Sequence, residues 1–216
     1  GEGGARVIVV TATQRTPEWF AARLGRLTGS RASDILATIK TGEAAARRDY
    51  RLQLACERIT GRSEEDAFVS AAMQRGTDIE PQAFAAYEAL TGEMASTVGF
   101  LAHDTLMAGC SPDGLVGTVG LLEVKCPKSS TMLGYHKSGQ IPTTYLPQVT
   151  HNLWVTGCAW ADLFAYDDRL PEGLQTFCRR VYAKDLDVMG YEGKALAFLA
   201  EVDAEVAALH ALAGRT

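Results

Sequence analysis

Apolar positions along the chain follow two rhythms, one near 3.6 residues and one of two, and the switch between them divides the sequence into helical and extended parts. Residues 17 to 37 read as helical pieces. Thr16-Pro17-Glu18 supplies a capping hydroxyl, a proline at the first helical position and an acid behind it. Thr28-Gly29-Ser30 interrupts this stretch, and Ser30 is placed to cap a following helix from Arg31 to Ala37. A second helical region over 43 to 60 is closed by Gly61. From Asp78 to Leu90, residues Ile79, Phe84, Tyr87 and Leu90 recur at helical spacing, with Gly92 beyond the end. The rhythm then shortens. Segments 96 to 108, 113 to 116 and 120 to 125, separated by Gly, Pro and Asp, predict an antiparallel meander. A helix over 143 to 156 follows, then strands near 159 to 166 and 176 to 183. The last helix, about 185 to 213, carries Leu196, Leu199, Val202, Val206, Leu209 and Leu212 as one apolar stripe. This order predicts an α/β fold, residues 1–216 forming a single domain whose central mixed β-sheet is flanked by helices.

Composition narrows the class without changing that outline. The 216 residues, 47% apolar and 22% charged, are enough to bury a sizeable core without disulfides or a structural metal. Cys56, Cys110, Cys126, Cys158 and Cys178 form an odd set with no C-x-x-C pair, which argues for a reducing compartment and for five small buried hydrophobes. No apolar run reaches a membrane span, and Val7-Ile8-Val9-Val10 is too short for a secretory core, so a cytoplasmic protein is expected. The opening Gly1-Glu2-Gly3-Gly4 reads as a processing remnant. A net charge of −5 argues mildly against a nucleic-acid binder. Yet the segment from Lys40 to Arg62 also carries Arg47, Arg48, Arg51 and Arg58, which is either a basic face or a solvated helix surface.

The chemistry-bearing stretch is Ser111-Pro112-Asp113-Gly114 followed by Leu122-Glu123-Val124-Lys125-Cys126. Alone, Ser-Pro-Asp-Gly is a turn sequence. The second segment changes its meaning, because a strand sends residues i and i+2 to one face, so Glu123 and Lys125 project together from an otherwise apolar strand. Burying that pair is costly unless something uses it; a surface turn with an ion pair is the plain alternative. A hairpin joining the segments brings Asp113 and Glu123 into one pocket. Two hard carboxylates with water and a phosphate oxygen suit Mg²⁺, and the Lys125 ammonium beside them can orient or deprotonate an attacking water. Those are the parts of a phosphodiester hydrolase.

Pro112-Asp113 with Glu123-x-Lys125 resembles the PD-(D/E)xK nuclease superfamily, whose core is restriction-endonuclease-like. The likeness to the phage lambda exonuclease family of viral recombination nucleases is closer. It runs through five ordered blocks: Trp19 to Ser30 with Arg23-Leu24-Gly25, Gly76 to Glu80, Cys110 to Leu115, Glu123 to Pro127, and Gln148 to Thr156. They span residues 17 to 157, about two thirds of the chain. The sequence departs from the family at Arg75, where an aromatic is usual, and shows little similarity after 160.

The resemblance implies that Asp113, Glu123, Glu80 and the Val124 carbonyl hold two Mg²⁺ ions, with Mn²⁺ as a substitute, and that Lys125 serves the nucleophilic water. It implies a 5′-phosphate site at Arg23, Ser30, Ser111 and Gln148, a minor-groove contact by Lys40 and a strand-splitting wedge at Met73. Five have an ordinary alternative: a first-turn acid favoured by the helix dipole for Glu80, a snorkelling helix arginine for Arg23, a helix cap for Ser30, a solvated helix residue for Gln148, a core or loop methionine for Met73. The implied function is 5′→3′ degradation of double-stranded DNA to mononucleotides in phage-type recombination, by a homotrimer acting with a single-strand annealing protein. A structure-specific or nicking endonuclease and a non-catalytic DNA-end-binding protein are the rival expectations.

Overall fold

A computed structural model describes residues 7–64, 70–140 and 142–214, the side chains of Ala72 and Met73 excepted. In chain order the regular elements are β1 (Val7–Val10), α1 (Pro17–Arg23), β2 (Leu27–Thr28), α2 (Ala32–Ile35), α3 (Ala45–Thr60), α4 (Ala71–Thr91) and β3 (Ala95–Thr97). Then come β4 (Phe100–His103), β5 (Ala108–Cys110), β6 (Gly114–Val116), β7 (Gly120–Lys125), α5 (Ser129–Ser138), α6 (Leu146–Thr156), β8 (Trp160–Tyr166), β9 (Thr176–Tyr182) and α7 (Val188–Ala213). The α/β class is as predicted, but the strands divide between two sheets. One is five-stranded, β3-β6-β7-β8-β9; the other is four-stranded, β1-β4-β5-β2. The meander expected over 96 to 108, 113 to 116 and 120 to 125 is cut between them, since β3 pairs with β6 while β4 and β5 pair with each other. Gly99 marks the crossing. A Cβ there would meet the carbonyl oxygens of Ala12 and Val10 at 2.2 and 2.4 Å, so the two chain segments approach at glycine-only distance.

The five-stranded sheet is mixed because β7 and β8 are parallel, linked by a crossover through α5 and α6. Strand β7 lies between two helices. Leu121 packs with Val149 and Leu153 of α6, while Leu122 packs with Ile79, Ala83 and Tyr87 of α4. The alternation of the strand therefore aims Glu123 and Lys125 at α6 and Val124 at α4.

Caps fix several helix ends. The Thr16 hydroxyl accepts from the Trp19 amide at 3.4 Å with Pro17 next to it, and Gly61 (φ 65°) closes α3 as a left-handed residue. Three expectations fail for tertiary reasons. The helix before the meander starts at Ala71, not Asp78, because Arg75 is held by Asp167 and Asp168 and the helix runs on through Gly76. Ser30 caps nothing: it sits in a single 3₁₀ turn, Gly29–Arg31, and the helix beyond is only Ala32–Ile35. In α7 the buried face is Tyr191, Ala195, Phe198, Leu199 and Val202, whereas Leu196 and Leu212 are exposed, since α3 sets which side of α7 is covered.

Three arginines of the basic segment are spent on ion pairs within the fold. Arg47 and Arg51 of α3 bind Glu43 and Glu201, Arg51 also reaches Glu205 at 3.6 Å, and Arg58 binds Asp203 at 2.5 Å. With Tyr50 stacked on Phe198 at 5.6 Å, these pairs join α3 to α7. Of the five cysteines, all free, Cys110 is buried and the other four are half-buried, so only one meets the expectation in full. No helix among the described residues is long and apolar enough to cross a membrane.

At the centre, His151 of α6 is fully buried. Its Nε2 donates to the Gly109 carbonyl at 2.9 Å, so Nδ1 accepts from the Tyr191 hydroxyl at 2.8 Å and the ring is neutral. Burial lowers its pKa from 6.5 to about 4. A histidine depressed in this way stays neutral in the fold but binds a proton in the unfolded chain. Its stabilisation is complete above pH 6.5 and is lost as pH falls toward 4, by up to about 3 kcal/mol. Urea unfolding of the wild type and of His151→Gln across this window should show their stability difference shrinking as pH falls. A difference that does not change with pH excludes the linkage.

Candidate active site

The β6–β7 hairpin sets the first geometry. Gly114 pairs with Leu122, which places Asp113 opposite Glu123 one step further along the antiparallel register. Here β6 ends, and the Asp113 carboxylate takes its place, Oδ2 accepting from the Val124 amide at 2.6 Å. The N–H and C=O of one strand residue point to the same edge, so the Val124 carbonyl is directed toward Asp113, away from β8. Gly117 (φ 58°) turns the hairpin at its closed end.

Glu123, 1% exposed, is held by three donors. Lys125 Nζ (3.2 Å) and Gln148 Nε2 (2.9 Å) reach its Oε2, and Asn152 Nδ2 (2.6 Å) reaches Oε1. The Gln148 amide oxygen accepts from Lys125 Nζ at 3.4 Å, closing a ring of three side chains. A carboxylate has about four lone-pair positions, so one direction on Glu123 stays open. Burial pushes the Glu123 carboxyl up to about 7, opposed chiefly by the Lys125 ammonium. Burial likewise raises Asp113, against the pull of Lys125, the Val124 amide and Arg15. It also raises Glu80, helped by the negative charge of Asp113 and opposed by Arg15. Burial works against the Lys125 ammonium too, but Glu123 and Asp113 outweigh it and hold its pKa above the ordinary lysine value. Lys125 is thus a proton-bearing donor in this arrangement, suited to orienting water and stabilising negative charge.

Two cavities flank this ring. One, of about 320 Å³, is lined by Glu80, Asp113, Val124 and Lys125, with Arg15, Gly76, Thr77 and Cys126. The other, of about 310 Å³, gathers Arg23, Ser30, Ser111 and Gln148 with Gln14, Arg15, Trp19, Gly29 and Asn152. A further cavity, about 600 Å³, lies along the α3–α7 seam near Arg47 and Glu201, lined by none of the carboxylates of the hairpin.

In the second cavity Trp19 is the organiser. Its indole N–H donates to Ser111 Oγ at 2.9 Å, and its ring lies beneath the Arg23 guanidinium at 4.1 Å. Arg23 itself is buried. The turn that follows it is fixed by α3: Glu57 accepts from the Gly25 amide (2.8 Å), and Arg58 Nε donates to the Gly25 carbonyl (2.8 Å). Gly29 is required for contact, since a Cβ there would lie 2.2 Å from Asn152 Oδ1.

The structure therefore brings Asp113, Glu123, Lys125, Val124 and Glu80 to one cluster, and Arg23, Ser30, Ser111 and Gln148 to an adjoining one. Glu80 lies nine residues into α4, so a helix-dipole role as a first-turn acid is ruled out. Gln148 is half-buried and bonded to two of the charged residues, not solvated. Lys40 sits exposed on the loop after α2 and lines neither cavity. The Met73 side chain lies outside the described part of the structure. Asn152, Trp19 and Arg15 were missed. The signal for Asn152 was available: Gln148, His151 and Asn152 form a polar i, i+3, i+4 stripe along α6.

Among the described residues, no three His, Cys, Asp or Glu side chains form a ready metal cage. The donor set still fits a hard cation. Asp113, Glu80 and a backbone carbonyl face one cavity, and Mg²⁺ commonly takes one or two carboxylates and completes its shell with water and phosphate.

This scaffold has close counterparts. An alkaline exonuclease from Laribacter hongkongensis is 43% identical and matches with a TM-score of 0.82, over 93% of this chain and 99% of its own. Its complex with dAMP matches at 0.83, with the same identity and coverage. A phage-related exonuclease from Haemophilus somnus 129PT, 12% identical over 85% of this chain and 96% of its own, shares the fold at a TM-score of 0.63. No match was found among curated proteins. Fold and hairpin together define a nuclease of the PD-(D/E)xK type. The chain belongs to the YqaJ-like viral recombinase domain family, which matches residues 18–159 and is lambda-exonuclease-like.

Proposed function

We propose that the chain is a Mg²⁺-dependent 5′→3′ exonuclease that degrades one strand of linear double-stranded DNA from a 5′-phosphorylated end, releasing mononucleotides. The observation that carries this reading is the position of Gln148 between the charged pair Glu123–Lys125 and the Arg23 cavity. Gln148 binds Glu123 and Lys125 on one side and lines the Arg23 cavity on the other, so a bound terminal phosphate and the bond to be cut are held in fixed relation. Asp113, Glu80, Glu123 and the Val124 carbonyl would hold up to two Mg²⁺ ions, or Mn²⁺ in their place, supplying Lewis-acid polarisation of the phosphate and a more acidic water.

The protein's own groups do the rest. Lys125 donates at the mouth of the Asp113 cavity, where it orients the attacking water and offsets charge developing on the phosphoryl oxygens. Arg23 offers a guanidinium fork, Ser30 and Ser111 hydroxyls and Gln148 an amide, a set matched to a phosphate dianion. The Laribacter enzyme has been captured in complex with dAMP, a nucleoside monophosphate of the class such a reaction would release. We propose further, on the family resemblance, that it acts in phage-type recombination in the bacterial cytoplasm, as a homotrimer working with a single-strand annealing protein.

The test compares degradation of linear duplexes bearing 5′-phosphate or 5′-hydroxyl ends with that of closed circles, with and without Mg²⁺. Rapid loss of the phosphorylated linear duplex alone is expected. Circles cut as fast as phosphorylated ends would make the protein an endonuclease, and tight end binding without cleavage would make it a non-catalytic end binder.

A further inference from the structure

Arg15 is the one non-glycine residue among the described residues with a positive φ, 70°. Glycine adopts that conformation freely, whereas a residue with a Cβ persists there when its surroundings fix it. Its side chain is exposed and donates from Nη1 to the Thr77 hydroxyl, on α4 one turn before Glu80. This partner is neutral and occupies one of the five guanidinium donors. Arg47, Arg51, Arg58, Arg75 and Arg180, by contrast, are engaged with carboxylates.

Among the described residues, Arg15 alone lines both the cavity that holds Asp113, Val124 and Lys125 and the Arg23 cavity. The first presents the carboxylates of Glu80 and Asp113, which repel a polyanion before any cation binds. A guanidinium on the wall between the two is placed where a strand running from one to the other must pass.

Building on the proposed exonuclease reading, we infer that Arg15 binds the DNA strand being cut, its guanidinium holding the phosphodiester that spans the Arg23 and Asp113 cavities. It is a substrate-binding residue of the reaction, separate from the metal ligands and from the terminal-phosphate set.

Arg15→Gly is the informative variant, because it removes the guanidinium while suiting the backbone. Its thermal midpoint should equal or exceed that of the wild type. KM for a 5′-phosphorylated duplex in Mg²⁺ should rise about tenfold, the scale of one charge-assisted contact. Duplex binding measured in EDTA should lose salt dependence, the slope of log Kd against log salt falling by about 0.7 to 0.9, as for one phosphate contact. Arg15→Gln, which keeps a donor for Thr77 but no charge, should show the same slope change, and Arg15→Lys should retain most of the wild-type slope. A folded Arg15→Gly or Arg15→Gln with wild-type KM and slope overturns the inference. The failures separate cleanly: a wild-type protein that does not degrade linear duplex defeats the exonuclease reading, while the EDTA slope still reports on Arg15.

Discussion

Asp113→Asn is expected to lower Mg²⁺-dependent DNA degradation by at least about 10³-fold, ~4 kcal/mol in the barrier, with the fold intact. The variant is nearly isosteric. An asparagine oxygen can still accept from the Val124 amide, the 2.6 Å bond that seals the end of β6 against β7, so the hairpin register survives. What disappears is the charge beside Glu80 and the Val124 carbonyl. Stability should not suffer in the absence of metal. Burial raises the Asp113 pKa, so the folded protein holds that proton more tightly than the unfolded chain does, and stability is lost as pH rises above 3.8. Removing the carboxylate removes that penalty, so the thermal midpoint in EDTA should match or exceed the wild type. Glu123→Gln is a poorer probe because three donors converge on Glu123, and an amide there would face some of them with its own N–H groups. Activity on 5′-phosphorylated duplex, measured with circular dichroism as the check on folding, decides the matter. An Asp113→Asn protein as active as the wild type would remove Asp113 from the chemistry.

The β6–β7 hairpin that carries Asp113, Glu123 and Lys125 was legible in the sequence because its signal is local. A strand alternates faces whatever surrounds it, so Leu122-Glu123-Val124-Lys125 announced two charges on one side of an apolar strand, and α6 indeed covers that side. Helix ends were legible for the same reason: a threonine before proline, or a glycine after the last turn, acts within a few residues. The partition into two sheets was not legible, since it depends on which distant segment β3 and β4 each meet. Helix α5 escaped because only Met132 and Tyr135 of its ten residues are buried, too few for a stripe. Strand β2, two residues long, has no periodicity to read. Arg15 was hidden differently. Nothing in Thr13-Gln14-Arg15-Thr16 distinguishes a loop arginine from one held left-handed against Thr77, because the contact is tertiary.

Arg23→Ala should abolish discrimination between phosphorylated and unphosphorylated 5′ ends, with less effect on turnover at unphosphorylated ends. Hydrogen bonds to charged groups contribute about 1.5–3 kcal/mol each, so losing a two-pronged guanidinium contact should cut the rate ratio by about 100-fold or more. The geometry suits such a contact. Trp19 supports the guanidinium from below at 4.1 Å and holds the Ser111 hydroxyl at 2.9 Å, so one indole positions two groups facing the same cavity. Arg23→Lys keeps the charge but not the planar fork, and its compact ammonium is more strongly hydrated, so it should recover only part of the ratio. Because Arg23 is buried, its removal also uncovers Trp19 and lowers stability. A ratio of rates on two ends, taken from one preparation, is insensitive to that loss, whereas a single rate is not. If Arg23→Ala lowers both rates equally and leaves the ratio at its wild-type value, the cavity beneath Arg23 is not where the terminal phosphate binds.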